Sequence, residues 1–169
     1  WTATSEKIKE EGAAEILLDQ LISEAKNSLG QDYVYIHNFV LTEQLNDCRN
    51  DLMEFGVVFD EWFSELSLFE NDAVSKVIAS LKKNNFLYLK DGATWFRSTD
   101  FGDEKDRVVQ RENGKFTYFA SDIAYHLNKF QRGFEQIINV WGADHHGYIP
   151  RMKAAMQALT LDPTKLEIA

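Results

Sequence analysis

The chain has 169 residues, 44% of them hydrophobic and 27% charged, a globular composition that suits one compact domain or two small ones. Its 18 Lys and Arg against 27 Asp and Glu leave a formal net charge of −9. That argues against these residues forming a nucleic-acid interface by themselves, because phosphate contacts need clustered cations. The single cysteine, Cys48, excludes an internal disulfide and fits a reducing compartment; no apolar run approaches the ~18 residues of a membrane span, and the opening WTATSEKIKEEG has no basic segment leading into an apolar core, so no signal peptide is expected.

Residues 5–28 carry the spacing of an amphipathic helix, with Ile8, Ile16, Leu17, Leu21 and Ala25 at three- and four-residue steps and Gly30 as a stop. The spacing predicts a second helix over 42–55. Leu41, Leu45, Cys48, Leu52 and Phe55 form its buried stripe, with Cys48 as core, and Gly56 is its C-terminal cap. VVFDEW, residues 57–62, is β-branched and aromatic and is expected to be a strand. A third helix is expected over 72–83, with Val74, Val77, Ile78 and Leu81 on one face.

Two hairpins come next. FLYLK and ATWFR flank Asp91-Gly92, and a second pair of strand-like runs flanks Asn113-Gly114; both dipeptides suit turns that need positive φ. STDFGDEKD between them is a polar loop. FTYFASDIAYHLNKF passes from a strand-like start into a helix bearing Ile123, Leu127 and Phe130. QIINVWG, residues 136–142, is a nearly continuous apolar run of the buried parallel-strand kind. A helix over 147–159 tolerates Pro150 in its first turn, and KLEI, 165–168, begins one more strand. Helix, strand, helix, strand is the pattern of an α/β fold with a parallel sheet.

In such sheets ligands bind beyond the carboxyl ends of the strands, where NVWGADHHGYIPRMKAA places Gly142 to Gly147. Gly142 would admit a ligand close to the backbone. Asp144 could accept hydrogen bonds from ribose hydroxyls, and the amides opening the next helix could meet an anion. A metal site built on Asp144, His145 and His146 is weaker, since consecutive side chains diverge and zinc needs three or four converging ligands; no metal is expected. His37 and His126 sit in helical patterns and are read as structural. Asp122 either caps the helix that follows Tyr118 or faces a pocket, where its carboxylate would pair with a forked guanidinium.

DGATWFRSTDFGDEKDRVVQREN, YFASDIAYHLNKF and NVWGADHHGYIPRMKAAMQAL, supported by EFGVVFDEWFSE, together resemble the bacterial arginyl-tRNA synthetases of class I, over about residues 1–168. The resemblance implies part of a Rossmann-like nucleotide-binding fold with inserted helical and β-hairpin segments. Residues 1–35 would be a helical insertion and 36–66 a core helix and strand. Residues 67–115 would be an insertion with a helix and hairpins, and 116–169 the second half of the catalytic core. It implies L-arginine, ATP (with Mg in the parent enzyme) and tRNA(Arg) as partners, no membrane, and a cytoplasmic location. Tyr118 and Asp122 match the family's guanidinium readers, and His146 falls where relatives often carry a glutamine. Gly142 and Asp144 match the Gly-x-Asp that touches the adenosine ribose, with His145 beside it. The family's His-x-Gly-His and Lys-Met-Ser-Lys-Ser-like signatures do not occur in these residues, so the chain is expected to be an internal piece, inactive alone and without catalytic residues of its own. The alternatives are a stand-alone, non-catalytic α/β nucleotide-binding or interaction module, and a metal-dependent hydrolase using Asp144, His145 and His146.

Overall fold

A computed structural model describes residues 13–169. The part of the first expected helix that contains Ile8 lies outside the described residues. The chain divides into two compact units, Trp1–Trp62 and Phe63–Ala169.

The first unit is built of two helices. Helix α1, Ala13–Leu29, ends before Gly30, whose φ of 52° breaks the helical run. Helix α2 runs over Gln31–Glu54, so it begins eleven residues ahead of its expected start at 42. Between the two starts, Ile36, Phe39 and Val40 stand at the three- and four-residue steps of a helix. No residue of α2 is buried. Cys48 is exposed rather than core, and Phe55 is 85% exposed. Two helices can cover only one stripe, and among the described residues of the unit the expected stripe through Cys48 has no third layer. VVFDEW forms no strand: it is irregular, with Val58 and Phe59 exposed and no strand partner among the described residues of the unit. Strand propensity needs a pleated neighbour to act on.

The second unit holds the core. A short helix, α3 (Leu66–Glu70), leads into α4 (Ala73–Lys83), where Val74, Val77 and Leu81 are buried as expected and Ile78 is partly buried. Strands β1 (Leu87–Lys90), β2 (Ala93–Phe96) and β3 (Arg107–Gln110) form an antiparallel sheet in that order. The Asp91-Gly92 turn has φ of 51° and 74° and pairs Lys90 with Ala93, the two positive values a type I′ turn requires. The loop after β2 contains a 3₁₀ turn, Ser98–Phe101, and is stapled by a bidentate pair between Arg107 and Asp103 at 2.7 and 2.8 Å. The second expected hairpin is reduced to one bridge, Gln110 to Phe116. Its returning strand never forms, because the Thr117 hydroxyl donates to the Val108 carbonyl at 2.9 Å and the chain turns at once into helix α5, Tyr118–Gln131.

Strand β4 (Ile137–Asn139) pairs in parallel with β5 (Leu166–Ile168), as expected of an α/β fold. Between them lie a 3₁₀ turn, Ala143–Tyr148, and helix α6, Ile149–Ala158, with Pro150 in its first turn. The ladder extends past the strands: Ala169 N–H donates to the Asn139 carbonyl and Trp141 N–H to the Ala169 carbonyl. Ile137 and Asn139 are buried while Ile138 is 57% exposed. The run is therefore covered on one face only within this unit, not on both. The core joins Val74, Val77 and Leu81 of α4 to Phe96 and Val109 of the sheet. Phe119, Ile123 and Ala124 of α5 and Met152, Ala155 and Met156 of α6 complete it.

Candidate functional site

Helix α5 sets one side of the site. Thr117 is its N-cap position, but its hydroxyl serves β3 and makes no cap bond to the helix. This pins the start of α5 to the sheet. Asp122 is the fifth residue of the helix and does not cap it. Tyr118 and Asp122 are four apart and so share a face. Two neighbouring clefts open on it. One, of about 240 Å³, is lined by Phe63, Glu65, Ser121, Asp122 and Tyr125. The other, of about 440 Å³, is lined by Arg111, Lys115, Phe116, Tyr118 and Ser121 among others, and Glu65 borders both. Tyr118 is 81% exposed at the helix start.

The Tyr148 hydroxyl donates a hydrogen bond to Asp122 Oδ2. Burial raises the Asp122 carboxyl above its ordinary value. The Tyr148 hydroxyl pulls it down, Glu65 pushes it up again, and Lys129 offsets that. Burial and the Asp122 carboxylate drive the Tyr148 phenol far up, so it stays a donor. Its ring is held edge-on by Phe119 and Trp141, with centroids 6.2 and 5.7 Å away, and the Arg151 guanidinium lies over it at 4.6 Å.

Behind Asp122 runs a second chain of polar contacts. His126 is buried, and its Nδ1 lies 2.8 Å from the Asp122 carbonyl. A carbonyl only accepts, so Nδ1 carries the proton. Nε2 of the neutral ring then accepts a hydrogen bond from Asn139 Nδ2 at 2.8 Å, and Asn139 Oδ1 accepts one from Lys129 Nζ at 2.7 Å. Burial pushes the imidazole down to about 4. Lys129 also lies over the Tyr125 ring at 4.4 Å, and Tyr125 stacks on Phe63 at 4.4 Å. The network ties α5 to the end of β4, where the Gly142 turn begins.

That turn is exposed. Gly142 has ordinary extended angles, φ −66° and ψ 155°. What it provides is room: a Cβ there would lie 2.6 Å from Asp144 Oδ1, so the carboxylate folds back over the glycine. His145 N–H donates to the Gly142 carbonyl at 2.9 Å, and His145 Nδ1 lies 3.1 Å from Asp144 Oδ1. His146 is exposed and lines neither cleft. Among the described residues no three His, Cys, Asp or Glu side chains converge as metal ligands. The structure thus groups Tyr118 with Asp122 on α5, and Gly142 with Asp144 and His145 on the turn. Tyr148 links the two groups. Sequence spacing does not reveal it, since a tyrosine one residue before a helix has no periodic partner twenty-six residues away. His126, read as structural, is structural and also anchors Asp122.

The family model described as tRNA synthetases class I (R), catalytic domain, matches residues 4–169. The chain belongs to this family. It is 70% identical over 159 residues to an arginine--tRNA ligase of Nitrosospira multiformis, with 94% of the chain and 27% of that protein aligned. It is 65% identical over 155 residues to one of an Azoarcus species, covering 92% and 26%. A crystal structure described as an arginyl-tRNA synthetase of Campylobacter jejuni superposes with a TM-score of 0.76 at 40% identity, over 86% of the chain and 33% of that structure. The arginyl-tRNA synthetase of Plasmodium falciparum, at 17% identity and a TM-score of 0.62, shares the fold. The chain spans about a quarter of the length of the curated relatives it matches. The class I catalytic-domain fold accounts for the parallel β4–β5 pair and the helices that flank it. Within it the antiparallel β1–β3 sheet is a separate small layer.

Proposed function

We propose that this chain is the part of an arginine–tRNA ligase that carries the arginine pocket and the adenosine turn. The parent protein would activate L-arginine with ATP to arginyl-adenylate, with Mg accompanying the ATP, and pass the arginyl group to tRNA(Arg) in the cytoplasm. No helix among the described residues is long and apolar enough to cross a membrane.

The observation that carries the reading is the half-buried Asp122 carboxylate at a cleft edged by the aromatic rings of Phe63 and Tyr125. A planar guanidinium pairs in two places with a carboxylate and stacks on aromatic faces, which an ammonium does less well. Asp122 would therefore select arginine, and Tyr118, one helical turn away, would add its hydroxyl or ring. His146 would approach only from the turn. Gly142 and Asp144 would hold the ribose, with His145 orienting Asp144 through their 3.1 Å contact. These residues supply positioning, and the charge stabilisation of the phosphoryl step would come from other parts of the parent. Residues 1–35 and 67–115 would be insertions into a Rossmann-like core formed by 36–66 and 116–169.

Asp122→Asn in the full-length enzyme tests the reading. It keeps size and removes charge. The expected result is a fall of more than about a hundredfold in kcat/KM for arginine, ~3 kcal/mol, with the KM for ATP little changed. A near-normal mutant would remove the arginine-pocket assignment. The isolated chain is expected to show no arginylation, and detectable product would overturn the view that it is incomplete.

A further inference from the structure

Asp122 has two carboxylate oxygens, and one of them is already occupied. Oδ2 receives the Tyr148 hydroxyl. Tyr148 reaches it from the first residue before α6, across twenty-six residues of sequence. The phenol is fixed from three sides, by the edges of Phe119 and Trp141 and by the Arg151 guanidinium over its face. A tyrosine packed this way has one position for its hydroxyl oxygen, and its O–H is directed at Asp122 Oδ2. Asp122 sits mid-helix, and without that bond its carboxylate would be free to rotate about its terminal torsion.

We propose that Tyr148 is a positioning residue for amino-acid selection: by holding Asp122 Oδ2 it fixes the plane of the carboxylate at the cleft, so that the remaining acceptor capacity meets a forked guanidinium edge-on. This rests on the arginine-pocket reading above. A bidentate pair requires the carboxylate and guanidinium to be nearly coplanar. A point ammonium makes no such demand. The hydroxyl therefore raises affinity for arginine and matters little for a lysine-like cation. The same residue belongs to the turn that bears Asp144, so the arginine and ribose groups share one rigid support. The phenol remains protonated, and so a donor, throughout the working range of an enzyme.

Tyr148→Phe in the full-length enzyme is the test. It keeps the ring, its edge contacts and the Arg151 stack, and removes only the O–H. The KM for arginine is expected to rise about tenfold, ~1.4 kcal/mol, with kcat and the KM for ATP within about twofold and the preference for arginine over lysine reduced. A general structural loss would instead lower kcat and raise the KM for both substrates, and that result would overturn the proposal, as would an unchanged KM for arginine. Combining Tyr148→Phe with Asp122→Asn separates the two readings. If Asp122→Asn alone abolishes arginine use while Tyr148→Phe is silent, only the positioning role fails. If neither change affects arginine use, the pocket assignment fails as well. Under the proposal the double mutant is no worse than Asp122→Asn, because the hydroxyl acts through the carboxylate.

Discussion

His126 shows how far a side chain can be committed by its neighbours. Both ring nitrogens are spoken for, one by a backbone carbonyl and one by an amide whose own oxygen is held by Lys129. A second proton on the ring would have nowhere to go: Nε2 would face the donating Nδ2 of Asn139. The imidazole value falls from 6.5 to about 4 in the fold, so between those limits the unfolded chain binds the extra proton and the folded one does not. Stability therefore rises with pH across that window and is lost as pH falls through it, by up to about 3 kcal/mol at the low end. Imidazole NMR of the intact chain should show His126 neutral down to about pH 4. Titration of His126 near 6.5 would mean the network is not formed. The residue types of the site were legible in the sequence, and so was the four-residue link between Tyr118 and Asp122. The choice between cap and pocket was not, because it depends on Thr117 turning its hydroxyl to β3, a contact made across tertiary structure rather than along the helix.

At the level of elements, local chemistry reads well wherever it is self-sufficient. Asp91-Gly92 closes its hairpin because both residues accept positive φ and the flanking runs supply the strands. Gly92→Ala should cost about 1–2 kcal/mol, since its φ of 74° is unfavourable for a side chain and the new Cβ would meet the Glu112 Cβ at 3.2 Å. Urea unfolding of the chain measures this, and a loss below a few tenths of a kcal/mol would mean the turn readjusts freely. The same signal at Asn113-Gly114 misleads. Gly114 does take a φ of 78° and the loop does close, through Arg111 and Lys115, but the returning residues are claimed by the start of α5. A turn dipeptide thus fixes a reversal and not the pairing beyond it. Likewise α4 was legible from Val74, Val77 and Leu81 because its partners lie in the same unit, whereas VVFDEW has strand composition and pairs with no strand among the described residues.

Across the whole chain, burial is uneven. The Phe63–Ala169 unit owns the continuous core. The two-helix unit instead shows Ile36, Phe39, Val40 and Leu41 about half exposed, beside a groove of about 500 Å³ lined by Leu29, Tyr33 and Ile36 among others. Apolar area of that extent attracts hydrophobic probes. The chain should bind an anilinonaphthalene dye, and Ile36→Glu with Val40→Glu should cut the signal by more than half without lowering the melting temperature. Unchanged dye binding would place the exposed surface elsewhere. The fold class was legible because the helix–strand–helix–strand order of the last fifty residues survives in any context. The stripe through Cys48 was misjudged because periodicity says which face is apolar and nothing about whether a layer covers it. The parallel pairing of Ile137 with Leu166 also bears on the time course of folding. The β1–β3 meander closes through near neighbours, but β4 and β5 meet only after the whole intervening turn and α6 have been drawn into a loop, and that entropy is met before the pairing repays it. The Gly142–Gly147 turn lies inside the loop, so it takes its shape among the last steps: a nascent chain can have a finished meander while that turn is still unwritten.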